Sequence, residues 1–352
     1  MELTTVWFVL IAVLWTGYLV LEGFDFGVGM LLPVIGRTDT ERRVLVNAIG
    51  PVWDGNEVWL LVAGGATFAA FPDWYATLFS GFYLPLLLIL VALILRGVAF
   101  EYRGKIDSVR WRRAWDAAIV VGSFVPSLLW GVAFANIVAG VPINAQKQYT
   151  GTLFTLLNPY GLLGGLTTLL LFALHGALFL ALKTRDEVHE RALRVAVRLS
   201  VPTIVVAGTF AVWTQLAHGK AWTWAAVVVA AAGLVGAAVA ARARREGLGF
   251  LFTSIVTIAV SVLIFGSLYP NVLPSTTNPA YSLTVTNASS SHYTLTVMTW
   301  VAVIFTPLVL AYQGWTFWVF RHRLSTQNIP AGGGIPAQRS GAGATPSAST
   351  AR

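Results

Sequence analysis

Nine long apolar runs, separated by shorter polar segments, decide what this chain can fold into. They cover residues 5–35, 51–71, 76–96, 115–139, 160–182, 198–217, 222–241, 249–270 and 296–320. Each has roughly the 20 residues that an α-helix needs to cross a hydrocarbon core of about 30 Å. Because a segment in lipid must satisfy its own backbone hydrogen bonds, runs of this kind fold as transmembrane helices. The sequence therefore predicts an all-α, polytopic membrane protein with nine transmembrane helices.

The basic residues test this arrangement. The chain has 23 lysines and arginines, and all except Lys147 and Lys220 fall at alternate ends of the nine runs or in the C-terminal segment. Connections rich in lysine and arginine stay in the cytoplasm. The pattern predicts an N-terminus outside and a C-terminus in the cytoplasm. The net charge of +8 then reflects cytoplasmic loops and does not indicate a nucleic-acid partner.

The residue types that are missing exclude several kinds of redox centre. The chain has no cysteine, which excludes disulfides, iron–sulfur clusters and thiolate-ligated haem. Of its five histidines only His175 lies well inside an apolar run. Haem ligation in a helical bundle usually takes axial ligands from facing helices. We interpret His175 as a hydrogen-bonded structural residue, and we expect neither a metal site nor a redox centre in this chain.

The chain divides into a long transmembrane part and a short polar tail. Residues 1–324 form the expected transmembrane domain, whereas 325–352 are rich in Gly, Ala, Ser, Thr and Pro and are expected to form a disordered cytoplasmic tail. Within the domain, Thr38 and Glu41 have the spacing of a capping box. This predicts a short surface helix that ends before Gly50-Pro51.

The first apolar run carries a polar stripe. Its members follow one another at spacings of 3, 4, 3 and 4, so they share one helix face: Trp15, Tyr18, Glu22, Asp25 and Gly29. A polar face within an apolar helix should meet protein or water rather than lipid. Gly23 and Gly27 form a small-xxx-small pair that permits close helix approach.

The stretch 51–59, PVWDGNEVW, places two more acids at the start of the second run. Asp54 and Glu57 are three residues apart and share a helix face near its cytoplasmic end. With Glu22 and Asp25 they are expected to converge on one interior region. Carboxylates in low-dielectric surroundings can exchange protons near neutral pH, so the pattern favours a proton route or a cation site. The structural alternative is that hydrogen bonds or arginines simply hold these acids in place.

Two further features lie beside these acids. Glu101 and Lys105, at the cytoplasmic end of the third run, have the spacing of a helical ion pair and mark a possible mouth of a proton path. Arg96 is counted there among the loop cations. Trp53 and Trp59 flank Asp54 and Glu57, either as the wall of a cavity or as ordinary packing.

Three stretches in order carry a family resemblance: LEGFDFGVGMLLPVIGRTDTERR, NAIGPVWDGNEVWLLVAGGATFAAFP and VMTWVAVIFTPLVLAY. They resemble subunit II of the bacterial cytochrome bd-type quinol oxidase, over nearly the whole chain except the tail. The resemblance implies two four-helix bundles plus a peripheral helix, in the bacterial cytoplasmic membrane. It also implies a heterodimer with subunit I, which would hold two haems b and one haem d. The complex would oxidise quinol and reduce dioxygen to water, and a small accessory subunit can accompany it.

The resemblance also implies roles for single residues. Asp54 matches the inner carboxylate of a cytoplasmic proton path, and Glu101 and Lys105 match its mouth. Asp25 and Glu22 match acidic positions of the first helix, and Glu57 stays undecided. Trp59 matches a tryptophan that lines a dioxygen path. A structural quinone, menaquinone or ubiquinone, is implied without assigned residues, and membrane lipid surrounds the whole. The rival classes are an ion-coupled secondary transporter or channel, and a purely structural assembly subunit.

Overall fold

The fold is built almost entirely from helices, in a computed structural model that describes residues 2–329 and 335–336. The first six helices are α1 (Leu3–Ile35), α2 (Asp39–Ile49), α3 (Trp53–Ala70), α4 (Pro72–Gly81), α5 (Tyr83–Tyr102) and α6 (Val109–Ala139). The next six are α7 (Leu153–Leu156), α8 (Pro159–Lys183), α9 (Asp186–His218), α10 (Trp224–Arg242), α11 (Glu246–Leu268) and α12 (His292–Val319). Short 3₁₀ turns occupy Ala221–Thr223, Pro279–Tyr281 and Thr326–Asn328.

Two minimal β-ladders complete the described secondary structure. Strands β2 (Asn271–Leu273) and β3 (Leu283–Thr284) pair antiparallel, with Asn271 opposite Thr284. Strands β1 (Ile106–Asp107) and β4 (Ile335–Pro336) pair in parallel. The strand β4 and the turn at Thr326–Asn328 belong to the expected tail, whose residues 330–334 and 337–352 lie outside the described residues.

Eight helices in the described ranges are long and apolar enough to cross a membrane. They are α1, α5, α6, α8, α9, α10 with its preceding turn, α11 and α12. The remaining expected span, 51–71, is the 18-residue helix α3, whose polar start lowers its mean hydropathy. The coarse prediction of a polytopic helical membrane protein is thus confirmed.

The expected third span, 76–96, has the wrong boundaries. Pro72 starts the separate helix α4, which ends at Gly81, and the spanning helix α5 begins only at Tyr83. At Gly81 a Cβ would come within 2.7 Å of the Cβ of Tyr149, so a residue without a side chain is needed at this close approach. The chain turns there and continues as α5 to Tyr102, six residues beyond the expected end.

Helix α1 lies at the centre of the described fold. It packs against α3, α6, α8 and α11, and the whole polar stripe from Trp15 to Gly29 is buried, as predicted. At Gly27 a Cβ would meet the backbone of Phe172 and lie 2.8 Å from the Cα of Gly176. These glycines let α1 and α8 cross with their backbones in contact, as small residues do between membrane helices.

Two series of helices pack side by side, and α1 belongs to the first. In the first, α5 packs against α6, α6 against α1 and α1 against α3. In the second, α8 packs against α9, α9 against α10, and α10 against α11, which returns to α8. Helix α12 contacts α1 and α3, and most of its side chains are exposed.

The arginine-rich helix ends meet at one side of the fold. Arg103 Nε lies 2.5 Å from Asp116 Oδ1, and Arg42 Nη1 lies 2.8 Å from Asp116 Oδ2. Arg191 pairs with Glu41, which also closes the predicted capping box. At the opposite side Lys147 Nζ lies 2.6 Å from Asp73. The ends therefore alternate in space in the way that the charge pattern predicted.

Candidate functional site

A buried arginine forms the centre of the candidate site. Arg96 on α5 makes an ion pair with Glu22 on α1, and the side chains of both are fully buried. Its guanidinium also lies 3.9 Å from a carboxylate oxygen of Glu57 on α3. From the sequence, Arg96 was counted among the basic residues at the end of the third run and in its following loop, and its role in this ion pair was missed. The sequence did contain a signal for this role. If the helix is extended to Tyr102, Arg96 lies inside the span and not in the loop.

Packing fixes the guanidinium in place. Its central carbon lies 4.7 Å from the ring centre of Phe26 and 5.3 Å from that of Phe100, both within cation–π range. Gly122 on α6 lets α5 approach, since a Cβ there would lie 2.6 Å from the Cβ of Arg96. Arg96 is thus held by groups from α1, α5 and α6.

A chain of hydrogen bonds starts beside this ion pair. Asn56 Nδ2 donates to the buried Asp25 carboxylate at 2.7 Å. Gln313 Nε2 on α12 donates to Asn56 Oδ1 at 3.0 Å, and Trp59 Nε1 donates to Gln313 Oε1 at 2.7 Å. The chain therefore joins α1, α3 and α12. Neither Asn56 nor Gln313 was identified from the sequence, where single amides gave no distinguishing pattern.

Several polar atoms around Arg96 make no hydrogen bond within the described part of the protein. They are Glu22 Oε2, Asp25 Oδ1, Glu57 Oε2, Arg96 Nε, Arg96 Nη2 and Ser123 Oγ, all of them buried. Buried polar atoms in proteins nearly always have a partner, which is often ordered water. Three carboxylates and one guanidinium thus lie together in this buried region.

Asp54 lies outside the buried cluster of the other three acids and stays next to Glu57, its neighbour three residues along α3. Asp54 is exposed, whereas Asn56 is fully buried against α1. Two residues correspond to about 200° around a helix, so the two side chains point in nearly opposite directions. Glu57 lies between them, about 100° from Asn56 and about 60° from Asp54, and reaches Arg96 from the edge of the buried face.

Glu101 and Lys105 do not form the expected helical ion pair. Helix α5 ends at Tyr102, and Lys105 lies in the turn after it, beside Gly104. Glycine disfavours helix continuation, so the four-residue spacing no longer brings the two side chains together. Both residues are exposed at the arginine-rich side.

Trp59 lies where α1 and α3 cross. A Cβ on Gly17 would meet its indole ring, which is half-buried and anchored by Gln313. Trp53, the other flanking tryptophan, packs its ring 5.0 Å from that of Phe100.

His175 does not fit the role of a haem ligand. Its Nδ1 lies 2.7 Å from Thr253 Oγ1 and its Nε2 lies 3.1 Å from the carbonyl oxygen of Val20. The ring also stacks on Phe250 with centres 4.4 Å apart. With both nitrogens engaged, neither is free to ligate iron. Within 2–329 and 335–336 no group of three or more His, Cys, Asp or Glu is arranged to hold a metal ion.

These features define a class: a multi-pass helical membrane protein with a carboxylate–arginine cluster buried beside its central helix. Residues 3–320 match the sequence model of the family described as cytochrome bd terminal oxidase subunit II. The chain belongs to this family. The sequence-based resemblance is thereby confirmed, and the assignment decides against the rival transporter or channel.

Individual relatives agree with this assignment. The chain is 41% identical to the cytochrome bd ubiquinol oxidase subunit 2 of Bacillus subtilis, over 92% of this chain and 97% of that one. It is 39% identical to the cytochrome bd-I ubiquinol oxidase subunit 2 of Escherichia coli K12, over 92% and 96%. Its fold is similar to a chain of the bd oxidase from Geobacillus thermodenitrificans, with a TM-score of 0.75 at 17% identity, covering 91% and 99%. The protein is thus a bacterial multi-pass subunit of an oxidase complex.

Proposed function

We propose that this chain is the haem-free subunit of a quinol oxidase, and that it stabilises subunit I and supplies part of the proton path. In this proposal, subunit I binds two haems b and one haem d, oxidises quinol and reduces dioxygen to water. The observation that carries the proton path is the buried cluster of Glu22, Asp25, Glu57 and Arg96. Its free carboxylate oxygens supply sites where a hydrogen-bonded water chain can exchange protons.

We infer that Asp54 delivers protons to this cluster from the subunit interface. It lies on an exposed stripe of α3 with Val58, Leu61, Gly65 and Phe68, which follow at spacings of 4, 3, 4 and 3. An acid on an apolar face is costly in contact with lipid, so a polar partner surface should cover it. Glu57 lies one turn further along, between Asp54 and Arg96. Glu101 and Lys105, exposed at the same side, would form the cytoplasmic mouth.

The proposed arrangement in the membrane follows the packing series. We place α1, α3, α5 and α6 in one four-helix bundle, α8 to α11 in the other, and α12 at the periphery, which gives nine spans. The meeting of the arginine-rich ends at one side supports a cytoplasmic C-terminus and an outer N-terminus. Trp59 would line a dioxygen path between α1 and α3. A structural quinone, menaquinone or ubiquinone, and a small accessory subunit remain part of the proposal without assigned residues.

Replacing Asp54 tests the proton path. Asp54→Asn keeps the size of the side chain but removes its titratable proton. Quinol-driven dioxygen consumption by the purified complex should fall by on the order of 10²-fold, the lower range for lost proton-transfer groups. Glu187→Gln, which removes another exposed acid from the arginine-rich side, is the control and should leave turnover unchanged. Haem content and subunit ratio verify assembly. Normal turnover of an assembled Asp54→Asn complex would favour a purely structural subunit.

A further inference from the structure

An apolar groove runs along the outer face of α10 and α11, away from the carboxylate–arginine cluster. Its volume is about 970 Å³. On the α10 side it is lined by residues at nearly helical spacing: Val228, Ala232, Val235, Gly236, Val239 and Ala243. On the α11 side it is lined by Leu248 and Phe252, and Arg245 closes one end. Helix α10 packs against α9 and α11 and makes no comparable contact with α3 or α5, so this face is separate from the Asp54 stripe.

Small residues on α10 give the groove its depth and its length. Alanine and glycine recede at Ala232, Gly236 and Ala243, and a Cβ on Gly236 would lie 3.1 Å from the ring of Phe252. From Val228 to Ala243 the groove extends 15 residues, or about 22 Å along the helix. This exceeds half of a hydrocarbon core of about 30 Å, which is the depth that one lipid acyl chain occupies.

The end of the groove offers one unpaired cation. Arg244 pairs with Glu190, and Glu246 pairs with Arg323. Arg245, between them, is exposed and its guanidinium makes no hydrogen bond or ion pair to any described residue. A guanidinium presents five N–H donors in a geometry that suits phosphate oxygens. An apolar channel with an available arginine at its arginine-rich end has the features of an anionic lipid site.

We propose that this groove binds one anionic phospholipid, with an acyl chain between α10 and α11 and its phosphate on Arg245. The headgroup chemistry distinguishes this ligand from a quinone. A quinone tail could fill the apolar channel, but a quinone ring carries no anionic group and gains little from a guanidinium. The proposal concerns only α10, α11 and the turn between them, and so it does not depend on the proton path.

Native mass spectrometry of the purified complex tests the proposal. Phosphatidylglycerol and phosphatidylcholine with identical chains are titrated separately, and affinity is taken from the first lipid bound. The native complex should prefer phosphatidylglycerol by about fivefold, the contribution of one arginine near a membrane surface. Arg245→Gln should abolish this preference and leave phosphatidylcholine binding unchanged. Arg110→Gln, which removes an exposed arginine from the same side, is the matched control and should retain it.

Variants that fill the groove test the contribution of the apolar channel separately from that of the headgroup site. Ala232→Trp should weaken binding of both lipids, and Ala232→Leu makes the same test if the larger side chain prevents assembly. Three outcomes would overturn the proposal. The first is that the native complex binds both lipids equally. The second is that Arg110→Gln loses the preference as fully as Arg245→Gln. The third is that the groove-filling variants release a co-purified quinone and retain the lipid.

Discussion

At the scale of single residues, the Glu22–Arg96 ion pair is the most consequential contact in the fold. Both side chains are fully buried, where each charge alone would be strongly unfavourable. A buried pair of this kind adds little net stability over apolar residues, yet removing one partner leaves an uncompensated charge. A pair that adds little net stability is compatible with the proposed proton path.

A double-mutant cycle tests this interpretation. Arg96→Met alone should destabilise the assembled complex by about 3–5 kcal/mol, because it strands the buried Glu22 carboxylate. Glu22→Met should cost less, because Arg96 keeps the Glu57 carboxylate 3.9 Å away. The double variant should recover much of this loss while dioxygen reduction stays impaired. Thermal unfolding of the purified complex, with turnover measured in parallel, supplies both readouts. Additive destabilisation in the double variant would show that the two residues act independently.

Also at this scale, Gln313 connects two features that the sequence treats as separate. It accepts from Trp59 and donates to Asn56, which in turn donates to Asp25. The proposed dioxygen-path residue and a proposed proton-path residue thus share one hydrogen-bond chain. Helix α12, otherwise mostly exposed, is anchored to the core of the site through this amide.

At the scale of elements, α2 joins the two packing series at the arginine-rich side. Its N-terminal Thr38 and Glu41 form the capping box, and the Glu41 carboxylate also pairs with Arg191 of α9. Partial burial raises the pKa of Glu41, but the hydrogen bonds from Arg191 and from the backbone N–H groups of Thr38 and Arg37 outweigh it. The pKa of Glu41 is therefore lower than that of a free glutamate.

The lowered pKa predicts a pH-dependent contribution to stability. A carboxyl group whose pKa falls on folding stabilises the folded state above its unfolded pKa, about 4.3, and loses this contribution as the pH falls through the lower folded value. Glu41→Gln should lower the unfolding temperature at pH 7, with a loss of about 1–3 kcal/mol. The difference from the native complex should shrink as the pH falls below about 5. A constant difference across this range would assign the effect to packing.

At the scale of the whole molecule, the arrangement of helix ends predicts which residues face each compartment. Thr40 on α2 lies at the arginine-rich side, and Thr277 lies between β2 and β3 on the opposite side. Both are exposed, and the chain has no cysteine of its own. Single-cysteine variants of this subunit therefore report on one position each.

Labelling of intact cells tests the orientation. A membrane-impermeant maleimide should modify Thr277→Cys in whole cells and should modify Thr40→Cys only after the membrane is opened. The reason is that arginine-rich connections are retained in the cytoplasm. The native complex, in which no cysteine has been introduced, serves as the control. The reverse pattern would invert the topology, and labelling of both positions in whole cells would refute the alternation of sides.

The class of protein and much of the local structure follow from the amino-acid sequence alone. The length of the apolar runs required membrane helices, and the basic residues alternated between their ends. The Thr38–Glu41 capping box begins a short helix, which ends at Ile49, before Gly50-Pro51. The buried stripe of α1 followed from its spacing, because a helix repeats every 3.6 residues regardless of its neighbours. Periodicity, length and capping are local properties, and they are legible in one sequence.

Which acids share the buried site depends on how the helices pack against one another. Arg96 looked like a loop cation, and only the folded chain places its side chain against Glu22 of α1, 74 positions earlier in the sequence. Asp54 and Glu57 share a helix face, and the rotation of α3 against α1 decides that Asn56 is buried, that Glu57 reaches Arg96 and that Asp54 is exposed. The rotation of one helix against another depends on side chains distant in sequence, such as the contact between Gly17 and Trp59. No local pattern encodes it.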